Sequence, residues 1–367
     1  MEFPENMNSE SRELYNASIS KFNLEALQGV ATEYRGIRCV GCEAIAQGGY
    51  NTVFLLTFED GHELIARLGG SRSGQDEGVP EDILTHRIKS EVATMRYVET
   101  HTIPIPHIHL VEYDAQNSVG TRFMLMDKIA GSTLTEVWDA FTPEEREQVV
   151  RQLASFQAEL LKLEFPAIGS LLDDQGTLGP LSRSCSYLSL LSLDCGPFKT
   201  TKEYLLANVS AELKLVQENP NKWREQRKET ANLSGGLEDT SIEDAREWLR
   251  LLYEGIRGLR DDILDPPESR FVLFHDDFQW SNVLVSPEDP TKLVGILDWE
   301  GSRVLPVWDN SRLVNPVGPS IIDDPEELRR LQDMKWDILQ DVQTKVAYSE
   351  HRWHLLLRII DYGLFLG

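Results

Sequence analysis

Residues 275–285 read HDDFQWSNVLV, which sets His275, Asp276, Asp277 and Asn282 within eight residues ahead of an apolar run. Acids this crowded repel one another, so they sit on a solvated loop or around a cation. The runs NVLV (282–285) and LVGILDW (293–299) are joined by SPEDPTK. A ribbon folded about residue 289 sets position 298 opposite position 280, and Asn282 then lies about 7–8 Å along the strand from the partner of Asp298. An amide oxygen and a carboxylate so placed can share a hard cation such as Mg²⁺, which keeps its other positions for water and phosphate oxygens. Asp277, in the loop just before, can accept a proton from an incoming hydroxyl. An acidic surface loop between two strands is the plain alternative.

A second stretch could meet phosphate. In QGGYNTVF (47–54), Gly48 and Gly49 let backbone N–H groups approach an anion with no Cβ in the way, and Asn51 follows them. The runs TVFLLTF and HELIARL flank Glu59-Asp60-Gly61, and Asp-Gly between two such runs signals a hairpin. A two-residue turn pairs 59 with 62 and 54 with 67, placing Arg67 opposite Phe54. A solvated strand arginine is the ordinary reading of that residue.

The elements that must position these residues change character along the chain. A short helix is expected over 23–34, β-type text from 52 to 68, a loop over 69–82 and a helix over 83–101. That helix carries an apolar stripe of Ile88, Val92, Met95 and Val98, with Glu91 on its flank. Extended text at 103–113 and a buried strand at 122–129 follow. After Gly131 the text turns helical. Thr142, Pro143 and Glu145 form an N-cap, an N1 proline and the acid of a capping box. Helices are expected over 142–163, 201–217, 241–264 and in 323–366, with short strands at 270–275, 282–285 and 293–299. The fold class is α+β, with a small β-rich lobe and a larger helical one. The expected division is an N-terminal helical extension (1–35), a nucleotide-binding lobe (36–127) and a catalytic, substrate-binding lobe (128–367).

The chain has 367 residues, a hydrophobic fraction of 41% and a formal net charge of −24. That acidity argues against a nucleic-acid partner, whose phosphates want a basic face. Cys39 and Cys42 form a C-x-x-C, but no second pair and no suitably spaced His accompany it, so reduced thiols beside a strand are expected. No run reaches the roughly 18 apolar residues of a membrane span. Glu2, Glu5, Glu10 and Glu13 against a lone Arg12 resemble neither a secretory signal nor a transit peptide. The expected location is the cytoplasm, ahead of the mitochondrion. The text stops at Gly367 inside the apolar run LLLRIIDYGLFLG, so either a missing final helix or a short gene model is expected.

The pattern H-x-D-x-x-x-x-N at His275, Asp277 and Asn282, followed by Ile296-Leu297-Asp298-Trp299-Glu300, resembles the aminoglycoside phosphotransferase family. That family includes choline-type and other small-molecule kinases and has the bilobal protein-kinase-like fold. SEVATMRYV and FPAIGSL bring the resemblance nearest to a fungal branch, part of which is named for altered inheritance of mitochondria. The resemblance implies that Asp277 is the catalytic base and that Asn282 and Asp298 hold Mg²⁺. It implies a looser glycine loop at Gly48, Gly49 and Asn51 against the phosphates of ATP. Where the family offers a strand lysine to those phosphates, this chain has Arg67, a permanent planar cation. Glu91 is implied to pair with it. Residues 126–129, Met126 and Lys128 among them, are implied to rim the adenine. Asp276 takes a variable position and is read as a bystander, and His275 as a brace for the loop.

The reading is therefore an ATP- and Mg²⁺-dependent phosphotransferase acting on a hydroxyl of a small molecule. A pseudokinase, binding nucleotide or a protein partner without transfer, is the rival, motivated by Arg67 and the short glycine loop. A protein kinase is disfavoured by His-Asp-Asp in place of His-Arg-Asp and by the absence of Asp-Phe-Gly and Ala-Pro-Glu. The acceptor and the oligomeric state are open. The acid pairs Glu238-Asp239, Glu243-Asp244 and Asp261-Asp262 could line a pocket for a cationic amine, or be helix caps and surfaces.

Overall fold

The computed structural model describes residues 19–48, 51–69, 79–101, 103–182, 195–224, 241–265, 270–307, 322 and 324–343. In chain order its first elements are α1 (Leu24–Arg35), β1 (Cys39–Gln47), β2 (Asn51–Phe58), β3 (Glu63–Gly69), α2 (Glu81–Glu99), β4 (Ile108–Glu112), β5 (Phe123–Asp127) and β6 (Ser132–Thr133). There follow α3 (Pro143–Leu161), β7 (Glu164–Phe165), β8 (Ser170–Leu171), β9 (Leu178–Gly179), α4 (Thr201–Glu218), α5 (Ile242–Gly258) and β10 (Phe271–Phe274). The last are β11 (Val283–Val285), β12 (Leu293–Ile296), β13 (Arg303–Pro306) and α6 (Pro325–Gln343). The fold is α+β, with a β-sheet N-terminal part and a helical C-terminal part. The chain packs as two units, one of residues 1–139 with 281–298 and one of 140–280 with 299–367.

In the first unit, five antiparallel strands are ordered β1-β2-β3-β5-β4. Strands β2 and β3 alternate, so Thr52, Phe54, Leu56 and Phe58 share a buried face with Leu64, Ala66 and Leu68. Helix α1 covers that face with Leu27 and Ala31, both fully buried. It opens on the Asn23 side chain, which accepts from the Ala26 N–H, and closes on Gly36 at φ +67°. Of the residues expected to form an extension, Leu24–Arg35 pack into this unit's core through Leu27 and Ala31. Strand β1 had no counterpart in the sequence reading. Hairpin β11–β12 pairs with β6 to form a second, three-stranded sheet of this unit.

Two registers differ by one residue from expectation. In the β2–β3 hairpin Arg67 faces Val53, and Phe54 faces Ala66. The loop holds three residues, Glu59 to Gly61, with the Gly61 N–H bonded to the Phe58 carbonyl and Gly61 at φ +80°. A glycine in that left-handed position makes the three-residue loop possible, where Asp-Gly alone suggested two. A one-residue slip changes the face of every side chain. Arg67 is therefore on the side away from Phe54 and the α1 core. In the β11–β12 ribbon an irregularity between Leu284 and Val285 shifts the pairing. Asn282 then accepts from the Leu297 N–H, one residue short of Asp298 rather than two.

The second unit is held by helices. The Thr142–Glu145 capping box starts α3, and a like box at Thr200 and Glu203 starts α4. Helices α4 and α5 share a core of Tyr204, Leu205, Val209, Leu249 and Ile256, which continues to Val272 and Phe274 of β10. The expected helix over 241–264 breaks after Gly258 and resumes as a short turn at Asp261–Leu264. Helix α6 is tied to α3 by Arg146–Glu327 and Arg330–Glu147, each at 2.9 Å. Strand β10 lies between β13 and β7. Strands β13 and β7 were not expected. Residues 344–366 of the expected C-terminal helices lie outside the described residues. Among the described residues no helix is long and apolar enough to cross a membrane.

Candidate active site

Three side chains meet in the first unit. Arg67, central in β3, donates from Nη1 to Glu91 Oε1 and from Nη2 to Asp298 Oδ1, the latter at 2.7 Å. Glu91 is on α2 between the buried residues Ser90 and Val92, and its side chain is 5% exposed. The sequence reading put Glu91 at the flank of the stripe; the helix face it occupies is buried. A carboxylate so enclosed needs a cation beside it, and Arg67, 12% exposed, provides one. Asp298 is 42% exposed and so stays accessible to a ligand.

Asp298 is the one non-glycine residue with positive φ among the described residues, at +60°. The left-handed conformation costs an L-residue about 1–2 kcal/mol, least for Asp and Asn. Such strain persists where surroundings over-determine it, and it concentrates at functional sites. Here the Arg67 fork holds the side chain and β12, just before it, holds the backbone.

Asn282 ends a short 3₁₀ turn, Trp280–Asn282, that leads into β11. Its backbone carbonyl partner, Leu297, is the neighbour of Asp298. The two residues expected to hold a metal offer hard oxygens, an amide and a carboxylate. No group of three or more His, Cys, Asp or Glu suited to a metal is found among the described residues. One carboxylate and one amide suit Mg²⁺, which is commonly held by one or two carboxylates with phosphates and retained water, rather than by an all-protein cage.

The other expected nucleotide-binding residues also lie in this unit. The Gly48 N–H bonds to the Asn51 carbonyl at 2.9 Å, and Gly49 lies outside the described residues. Asn51 pairs with Gly69, two positions from Arg67 on β3. Met126 is buried in β5 between Ile65 and Ile108. Lys128 directs its ammonium to Glu63 Oε2. Between them, the Asp127 N–H bonds to the His107 carbonyl, and its carboxylate lies 2.6 Å from His109 Nε2. The sequence reading had no signal for that contact, since 107, 109 and 127 meet only through the β4–β5 pairing.

Asp277 belongs to the second unit, in the turn after β10. Its backbone N–H donates to His275 Nδ1 at 3.2 Å, and Gln279 Nε2 donates to Asp277 Oδ2 at 2.8 Å. His275 is 1% exposed and packs edge-on against Trp299, with ring centroids 4.6 Å apart. The imidazole is a brace inside the turn. Gln279 was missed by sequence reasoning, although its place two residues past Asp277 could have drawn attention.

Three of the acids weighed as a pocket lining have local partners. Asp244 takes part in the Ser241 cap of α5, Asp261 pairs with Lys202, and Asp262 with Arg260. Glu238 and Asp239 lie outside the described residues. Cys39 is buried and Cys42 half-buried, both as free thiols, and burial pushes the Cys42 thiol up to about 12.

A family model described as the phosphotransferase enzyme family matches residues 41–316. Altered inheritance of mitochondria protein 9, mitochondrial, of Eremothecium gossypii is 25% identical over 84% of this chain and 56% of its own length. A subtelomeric hrmA-associated cluster protein of Aspergillus fumigatus is 24% identical over 73% of this chain and 58% of its own. The chain thus spans little more than half the length of these relatives. Among solved structures, the amicoumacin kinase hAmiN, in complex with AMP-PNP, Ca²⁺ and Ami, is 13% identical and aligns over 95% of this chain and 87% of that one, with a TM-score of 0.49. The cytoplasmic expectation is overturned: three relatives matching 84%, 84% and 94% of the chain are named as mitochondrial proteins. The resemblance drawn from His275, Asp277, Asn282 and Asp298 is borne out at the level of the family, and the chain belongs to the phosphotransferase enzyme family.

Proposed function

We propose that this phosphotransferase moves the terminal phosphoryl group of ATP to a hydroxyl on a small molecule, with Mg²⁺ as the metal. The observation that carries the reading is Arg67 held between the buried Glu91 and the accessible Asp298. A guanidinium fixed by two carboxylates is a rigid anchor for phosphate oxygens. In this reading the first unit binds the nucleotide, with Gly48, Gly49 and Asn51 against the phosphates and Met126 and Lys128 near the base. Asn282 and Asp298 would hold Mg²⁺, which would supply charge neutralisation for the transferring phosphate. Asp277 receives the proton of the acceptor hydroxyl. The hydroxyl oxygen then bonds to the γ-phosphorus, and the bond from that phosphorus to the bridging oxygen breaks, releasing ADP. Gln279 and His275 aim the Asp277 carboxylate and backbone. The names of the relatives support a mitochondrial location for this chain.

A second reading, a nucleotide-binding pseudokinase, is favoured by one contact. Asp298 Oδ1 is engaged by Arg67, so a metal must compete for that oxygen. A thermal-shift titration with ATP, with and without Mg²⁺, on wild type and D298N separates the two. A Mg²⁺-dependent shift lost in D298N supports the transferase. A shift indifferent to metal and to D298N supports the binder.

A further inference from the structure

Asp276, read from sequence as a bystander, is fixed on the second unit by two features that adjoin Asp277. Its Oδ1 lies 2.7 Å from Arg303 Nη2, and the side chains are 25% and 16% exposed. Arg303 opens β13, where it pairs with Phe274 of β10, so the contact bridges the strand that leads into the Asp277 turn and the strand beside it. Asp276 also lies over Gly301, which has φ +73°; a Cβ there would sit 2.8 Å from Asp276 Oδ2. Only a residue without a side chain accommodates both that backbone angle and that approach.

We propose that the Asp276–Arg303 pair is a staple that holds the Asp277 turn against β13, making both positioning residues for phosphoryl transfer. The proposal rests on the reading of Asp277 as the base. It explains how two adjacent carboxylates coexist: Arg303 neutralises one and directs it away, leaving the other to the reaction. A half-buried carboxylate joined to a mostly buried guanidinium keeps one geometry, whereas an unpaired Asp276 would repel Asp277 and loosen the turn. Misplacement of a reacting group by about 1 Å can cost on the order of a hundredfold in rate.

The test uses the full chain with R303M, R303K, D276N and the double variant D276N/R303M. The first readout is amide hydrogen exchange of the 275–280 segment, which needs no turnover. The second is kcat and KM for ATP, with water or any active hydroxyl compound as acceptor. R303M and D276N are expected to speed exchange in that segment and lower kcat about tenfold to a hundredfold, with the ATP KM within about twofold. R303K should recover most of both readouts, and the double variant should fall no further than either single one, as for one coupled unit. Unchanged exchange in R303M, or single losses that simply add, would overturn the staple. A wild type with no turnover, or turnover indifferent to D277N, would instead remove the phosphotransfer reading, and with it the catalytic purpose of the pair. The exchange data would still decide whether the pair holds the turn.

Discussion

Arg67 Nη2 stands 2.7 Å from Asp298 Oδ1, although 231 positions separate the two residues in the chain. The same guanidinium reaches Glu91, so one residue of β3 joins α2 to the end of the β11–β12 ribbon. Arginine can do this because its two terminal nitrogens diverge in a fixed plane, whereas a lysine ammonium is a single point.

R67K is therefore expected to retain the contact with Glu91 and release Asp298. The released carboxylate should take up metal more readily. Losing one charge-assisted hydrogen bond of about 1.5 kcal/mol corresponds to about tenfold less Mg²⁺ at half-saturation. The measurement is the Mg²⁺ dependence of the ATP-induced thermal shift. R67M should behave differently: it strands the buried Glu91, and a loss of about 3–5 kcal/mol in denaturant unfolding is expected.

The backbone of Asp298 makes a separate prediction. At φ +60° glycine is unstrained, while alanine bears the cost of a Cβ in the left-handed region. Both D298G and D298A lose the Arg67 contact, so the difference between them isolates the backbone. D298G should be the more stable of the two by about 1 kcal/mol in urea titrations. Equal stability would mean that the φ +60° conformation relaxes once the carboxylate is gone.

A pH prediction comes from the hairpin tip. Arg35 donates two hydrogen bonds to Asp60, each 3.0 Å, and the His62 N–H adds a third. The Arg35 hydrogen bond, first among these, holds the Asp60 carboxyl down at about 2. Its folded-state value lies below the unfolded one, so the contribution is fully present above about pH 4. It is lost as pH falls toward 2. The melting temperatures of wild type and D60N should differ at pH 7, and the gap should close between pH 4 and pH 2. A gap that persists at pH 2 would contradict the assignment.

What could be read from the sequence was largely local. The α3 cap was legible because Thr142, Pro143 and Glu145 act within one turn. The candidate site turn after β10 was legible because His275, Asp277 and Asn282 stand at a fixed spacing. Registers were not: Asp60-Gly61 marks a turn but does not say whether two or three residues form it, and the answer moved Arg67 to the other face of the sheet. Strand β1 was missed because CVGCEAIAQ lacks a dense run of branched residues. Missing β13 hid Arg303, and with it the partner of Asp276, since that contact exists only through the β10–β13 pairing. Glu91 was placed on the right helix, but its burial depends on packing within the first unit.

The central claim is tested most directly by ADP release from ATP and Mg²⁺ over a panel of amino sugars, choline-like amines and simple alcohols, with wild type and D277N side by side. The account predicts release that depends on one class of hydroxyl acceptor and falls by about 10²–10⁴-fold in D277N. Release that is the same in both proteins, or none from wild type with any acceptor although ATP binds, would contradict it.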